Sequence, residues 1–251
     1  MNVRLKPISA DSPQAQPGCA ACVANELNLC QAVSEACAVL PSGESIEIGG
    51  SNHVVPARRI VFREHDMRDA VPIICEGWAA SAVLLPDGRR QILSFLLPGD
   101  IVSTALLFDA RASCLVEAVT DVRYRAFKRP ELKAALHKRP DLLEKFSKAW
   151  IDEKARADQL IVDLGRRSAE QRLARLILGL HERLTRLGLV PAGALEMGFP
   201  LRQHHIADAT GLTPVHVSTV LSEFRKSGVV KISERWLTIL DPDRLRRVAN
   251  R

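Results

Sequence analysis

Six cysteines give this 251-residue chain its widest chemical reach, and four of them crowd one end: Cys19, Cys22, Cys30 and Cys37. Cys75 and Cys114 follow far downstream. Thiolates are soft ligands for zinc or iron, and paired thiols exchange with disulfides. No basic-then-apolar leader opens the chain, and no apolar run is long enough to cross a bilayer, so a cytoplasmic protein away from membranes is expected. In that reducing compartment clustered cysteines bind metal or sense redox state more often than they staple a fold. Enzymatic sets are missing from the pattern. His53 and His65 stand alone, no Ser/His/Asp set is evident, and Gly49-Gly50 reads as a turn rather than a phosphate loop. The chain is not expected to be an enzyme.

A second set of residues points to nucleic acid. Net charge is +6, and residues 200–251 hold nine Lys/Arg against five Asp/Glu, a surplus of four. A basic segment suits a polyanionic partner once a reading element lies inside it. That element is the run from Gln203 to Val220. A helix-turn-helix needs a small residue where its helices approach, supplied by Ala207, and a residue tolerating positive φ in the turn, supplied by Gly211. Thr213 caps the second helix with Pro214 in its first turn. Val217 and Val220 then face inward. Val215, His216, Ser218 and Thr219 remain on the outward N-terminal part, the part that enters a major groove. His216 is the candidate base contact, and Arg202, His204 and Thr213 are candidate phosphate contacts.

These residues need elements to hold them. Residues 1–41 form a Cys-containing arm, and residues 42–139 read as short strands with turn punctuation, an antiparallel β-roll. Val83 to Phe95 reads as a hairpin around Asp87-Gly88. Ala112 to Phe127 reads as another, turning near Thr120-Asp121, which sets Cys114 roughly across from Ala126 and on the face of Tyr124. Residues 140–167 read as one long helix. A heptad numbered from Leu143 puts Leu143, Trp150, Ala157 and Leu164 at a, with Phe146, Glu153 and Leu160 at d. Glu153 alone breaks this dimerisation seam, while Ile151 and Ile161 are expected to face the sensor domain. The alternative is a helix buried within one subunit. Residues 168–251 complete the reader: Ser168-Ala-Glu-Gln171 is a capping box, and Val229 to Leu240 makes two strands of a wing around Ser233-Glu-Arg235.

Four stretches now carry a resemblance: Arg89 to Asp100, Glu117-Ala-Val-Thr-Asp121, Arg167 to Ala174, and Gly211 to Gly228. In order and spacing they resemble the CRP/FNR family of bacterial transcription regulators over nearly the whole chain. The resemblance implies an α+β fold with an N-terminal cyclic-nucleotide-binding-like β-roll sensor, a long dimerisation helix and a C-terminal winged helix-turn-helix. It further implies a homodimer that binds double-stranded operator DNA of two-fold symmetry and contacts RNA polymerase. The FNR branch carries Glu-x-x-Ser-Arg on its recognition helix, where this chain has Val215, Ser218 and Thr219. The guanine-gripping Arg is gone, so that branch's operator is not implied.

Cys19-x2-Cys22-x7-Cys30 is similar to the N-terminal cysteine set of FNR-type oxygen sensors, which hold a [4Fe-4S] cluster with one further thiolate from the roll. The usual fourth position falls near Tyr124, and Cys114 is the candidate replacement. An intact cluster would tie arm to roll and favour the dimer. Zinc binding, thiol–disulfide sensing, another small effector in the roll and a cofactor-free arm remain alternatives. No cyclic nucleotide is expected: no acid follows Gly99-Asp100, and Ala112 stands where an Arg is needed, with Arg111 one place away.

Overall fold

The computed structural model describes residues 48–67, 69–109, 111–112 and 114–250. Cys19, Cys22, Cys30 and Cys37 lie outside the described residues. The roll is built from β1 (Gly50–Val55), β2 (Ile60–Phe62), β3 (Ala70–Glu76), β4 (Ala79–Leu84), β5 (Arg90–Leu96), β6 (Leu115–Ala118) and β7 (Val122–Lys128). They pair antiparallel in two sheets of order β1-β7-β3 and β2-β6-β4-β5. Val71, Ile73, Val116, Val122 and Phe127 meet between the sheets. The predicted β4–β5 hairpin is observed, with Leu84 opposite Arg90 and Gly88 at φ 83 supplying the left-handed turn residue.

Residues 112–127 depart from the expected hairpin. β6 pairs with β2 and β4, whereas β7 pairs with β1 and β3, so residues 119–121 carry the chain from one sheet to the other. Alternation decides which face of a strand is buried, not which strand lies beside it. Cys114 and Tyr124 therefore reach the same core from opposite sheets. The corner is tight. The Trp78 carbonyl accepts the Val119 and Thr120 N–H groups at 2.8 and 3.2 Å. Gly77 sits at φ 84, and a Cβ there would stand 2.0 Å from the Asp121 carbonyl oxygen, so only glycine is accommodated.

A 3₁₀ turn, Thr104–Leu107, leads towards β6, and β7 runs into α1 (Arg129–Lys138) and α2 (Pro140–Arg166). The inward face of α2 follows the helical period: Leu142, Phe146, Ala149, Glu153, Arg156, Leu160 and Asp163. Leu142 and Phe146 join the sensor core, the latter only 4% exposed. The Glu153 carboxylate accepts from the Thr104 hydroxyl at 2.7 Å and its N–H at 3.2 Å. The predicted seam is thus divided. Phe146 is buried in its own subunit, Glu153 binds the 3₁₀ turn, and Leu160 and Leu164 line a cleft against β5. Ile151 and Ile161, expected to face the sensor, point to solvent at 66% and 70% exposure, beside Leu143, Trp150 and Ala157. A heptad count finds apolar positions; it does not say which neighbour covers them.

The chain continues through α3 (Ala169–Arg186), β8 (Glu196–Gly198), α4 (Gln203–Thr210), α5 (Pro214–Lys226), β9 (Val230–Ser233), β10 (Trp236–Ile239) and α6 (Pro242–Asn250). The capping box is present: Gln171 N–H donates to Ser168 Oγ at 3.3 Å, and Ser168 N–H to Gln171 Oε1 at 2.7 Å. β8, β10 and β9 form a three-stranded sheet. Sequence reasoning assigned neither β8 nor α6. Leu173, Ile177, Met197, Phe199 and Leu237 make a second core, which also takes in Ala80, Ile92 and Phe95 from the sensor. Along β4, Ala79 enters the first core and Ala80 the second, as a period of two requires. The reader domain is docked on the outer face of β4–β5. No helix among the described residues is long and apolar enough to cross a membrane.

Candidate nucleic-acid interface

α4 and α5 make the reading element, and local chemistry builds each part. α4 stops at Gly211, which takes φ 65, and the Leu212 N–H returns to the Ala207 carbonyl at 3.0 Å. Thr213 Oγ1 accepts the His216 N–H at 3.2 Å and caps α5, with Pro214 at its first position. Ala207, Val217, Val220 and Phe224 are buried between the helices and the core beneath. α5 ends at Lys226, followed by Gly228 at φ 67.

What remains outside is the predicted reading face. Val215, 77% exposed, is joined by exposed His216, Ser218 and Thr219 on the first turns of α5. The Thr219 hydroxyl is held by the Val215 carbonyl at 3.2 Å, which leaves its oxygen lone pairs and methyl for a partner. Thr213 is exposed and uses its oxygen as a cap, so its O–H hydrogen stays free to donate. Arg202 and His204 are exposed at the start of α4. β9 and β10 form the predicted wing, with positive φ at Glu234 and Arg235 making the turn.

His205 lies beneath this face and sequence reasoning did not single it out. It is 6% exposed, its Nδ1 accepts the Arg202 N–H at 3.1 Å, and its ring centre is 4.0 Å from that of His204. Burial, then the neighbouring charges of His204, Arg90 and Arg202, push its pKa down to about 4, so the ring is neutral and serves as a cap.

A polar clasp orients the reader on the sensor. Arg90 of β5 reaches Asp208 of α4 at 2.8 Å and also pairs with Glu117 of β6. Arg183 of α3 donates to the Phe95 carbonyl at 2.8 Å and pairs with Asp100. Asp100 in turn accepts the Leu97 N–H at 2.7 Å. No local signal announces these pairs, because Arg90 and Asp208 are 118 residues apart in the chain.

On the sensor side, Cys114 is buried and its sulfur accepts the Ser81 hydroxyl at 2.9 Å. Tyr124 stacks on His53 with ring centres 4.8 Å apart. Among the described residues no three His, Cys, Asp or Glu side chains gather as a metal site. Thr104, in the 3₁₀ turn after Gly99-Asp100, is occupied by Glu153, while Ala112 is buried and Arg111 exposed.

Comparison with known proteins matches both halves. A model described as the Crp-like helix-turn-helix domain covers residues 171–248, and one described as the cyclic nucleotide-binding domain covers residues 52–139. The chain is 34% identical over 190 residues to the nitrogen fixation regulation protein FixK of Bradyrhizobium diazoefficiens, spanning 75% of this chain and 78% of that one. It is 33% identical over 193 residues to the transcriptional activatory protein AadR of Rhodopseudomonas palustris, with 76% and 78% covered. The solved structure of FixK2 from Bradyrhizobium japonicum superposes with a TM-score of 0.71 at 27% identity, over 80% of this chain and 97% of that one.

Proposed function

The chain belongs to the CRP/FNR family of DNA-binding transcription regulators, and from that premise we propose that two copies read a two-fold symmetric operator through the first turns of α5. The observation that carries this reading is the outward row Val215, His216, Ser218 and Thr219 on a capped helix whose opposite side is buried. A helix N-terminus presented this way places side chains on base edges in a major groove. Val215 suits a thymine methyl, His216 and Ser218 a base acceptor or donor, and Arg202, His204 and Thr213 the flanking phosphates. The second copy packs along the exposed stripe of α2: Leu143, Trp150, Ile151, Ala157 and Ile161. RNA polymerase is the further partner. Fluorescence anisotropy with promoter fragments tests the reading: His216→Ala weakens the specific site by about 1–3 kcal/mol and leaves non-specific binding nearly unchanged. Equal loss on both would remove the base-reading role.

For the sensory input we propose a [4Fe-4S] cluster held by Cys19, Cys22, Cys30 and Cys114. Of the four, Cys114 is described. Its sulfur takes a hydroxyl donor from Ser81, as cluster thiolates take hydrogen bonds, while its burial in the apolar core keeps it a thiol unless a metal takes it. When bound, such a cluster supplies an oxygen-labile redox centre. Anaerobically purified protein is expected to carry iron and acid-labile sulfide and to bleach in air, and Cys114→Ala to lose both. A colourless protein holding zinc would move the reading to the zinc alternative. With no acid just after Gly99-Asp100 and Ala112 where an Arg is needed, no cyclic nucleotide is expected in the roll.

A further inference from the structure

A cleft of about 210 Å³ opens where sensor and reader meet, walled by β5, α2, α3 and the end of α4. Phe95, Leu160 and Leu176 give it apolar surface, and four arginines, Arg156, Arg172, Arg175 and Arg183, line it against one acid, Asp163. Three of the four cations are spoken for. Arg183 pairs with Asp100, and Arg175 faces Asp163 at 3.0 Å. Arg172 donates to the carbonyls of Thr210, Leu164 and Arg167 at 3.1, 2.8 and 2.9 Å.

Arg156 is different. Its Nε is buried without a hydrogen-bond partner, and among the described residues no ion pair reaches its guanidinium. Burial, followed by repulsion from Arg183, lowers its pKa, against the weaker pull of Asp100, Asp152 and Glu153. Arg156 is half-buried, and a partly desolvated guanidinium gains from an anion that completes its hydrogen bonding. A guanidinium offers a planar fork that matches a carboxylate or phosphate.

We propose that this cleft binds a small organic anion, an apolar body of a few carbons ending in a carboxylate or phosphate, with Arg156 as its charge partner. The body lies against Phe95, Leu160 and Leu176. Such a molecule touches β5 of the sensor together with α3 and α4 of the reader, so its binding free energy stabilises this arrangement of the two domains. The site lies outside the roll and is separate from the cysteines.

The test uses the full chain without DNA, so its result does not depend on the operator reading. Sodium hexanoate, hexyl phosphate and inorganic phosphate are titrated by calorimetry and by thermal unfolding. At least one of the two amphiphiles binds at a single site and raises Tm, and inorganic phosphate binds at least about tenfold more weakly. Arg156→Gln weakens the amphiphile by about tenfold or more, while Lys154→Gln, an exposed cation on the same helix, leaves it unchanged. Absence of binding by both amphiphiles overturns the proposal, as does an undiminished response in Arg156→Gln or an equal loss in Lys154→Gln.

Discussion

Single side chains set the chemistry of the reading face, and two of them make opposite demands. Gly211 must hold φ 65, and a Cβ there would meet Leu164 Cδ2 at 2.9 Å. Gly211→Ala therefore costs about 1–2 kcal/mol from the left-handed backbone, with added crowding; a lower midpoint in urea unfolding is the check. His205 must stay neutral. Unfolded, it titrates near the ordinary histidine value of about 6.5, but folded near about 4. Between these values the unfolded chain binds the extra proton, so stability falls as the solution is acidified through that window. The loss is about 2 kcal/mol from pH 7.5 to pH 5, and His205→Gln should flatten the profile of stability against pH. The reading helix was legible in the sequence because its determinants are local: Ala207, Gly211, Thr213 and Val217 act within a few residues of each other. His205 was not, since its burial depends on how α4 docks on β5.

At the scale of elements, α2 serves two neighbours at once. Its inward stripe from Leu142 to Asp163 is committed to the sensor and to α3, leaving Trp150 and Ile161 exposed along its flank. Trp150→Asp or Ile161→Glu should shift the protein from dimer to monomer in analytical ultracentrifugation, and the Tm of either variant should lose its dependence on protein concentration. Phe146→Ala should instead lower stability by about 3–5 kcal/mol, as a buried aromatic does. The sequence revealed the helix and its apolar positions, yet Phe146, expected in the seam, is buried against the sensor, and Ile161, expected to face the sensor, is exposed. Apolar residues occur on both sides, and tertiary packing alone assigns them. The same limit applies to β6 and β7, whose alternation is plain but whose partners lie in different sheets.

Across the whole molecule, reader and sensor form one continuous apolar contact secured by Arg90, Asp208, Arg183 and Asp100. Arg90→Ala leaves Glu117 and Asp208 unpaired in a half-buried setting, and hydrogen exchange should rise together in residues 90–96 and 203–210. A change confined to one of those segments would mean that the clasp does not couple them. The fold and the DNA-reading half were evident from motif order, whereas this interface, joining residues over a hundred positions apart, had no sequence signature. All of these expectations serve one claim, that paired copies of α5 read duplex DNA. Selection from a random duplex library, by the purified protein in air and under anaerobic conditions, tests it most directly. Enrichment of a two-fold symmetric sequence with half-sites about 10 base pairs apart centre to centre is expected, and it is lost in His216→Ala. Recovery of no symmetric sequence under either condition, or of the same sequence by His216→Ala at undiminished affinity, would contradict it.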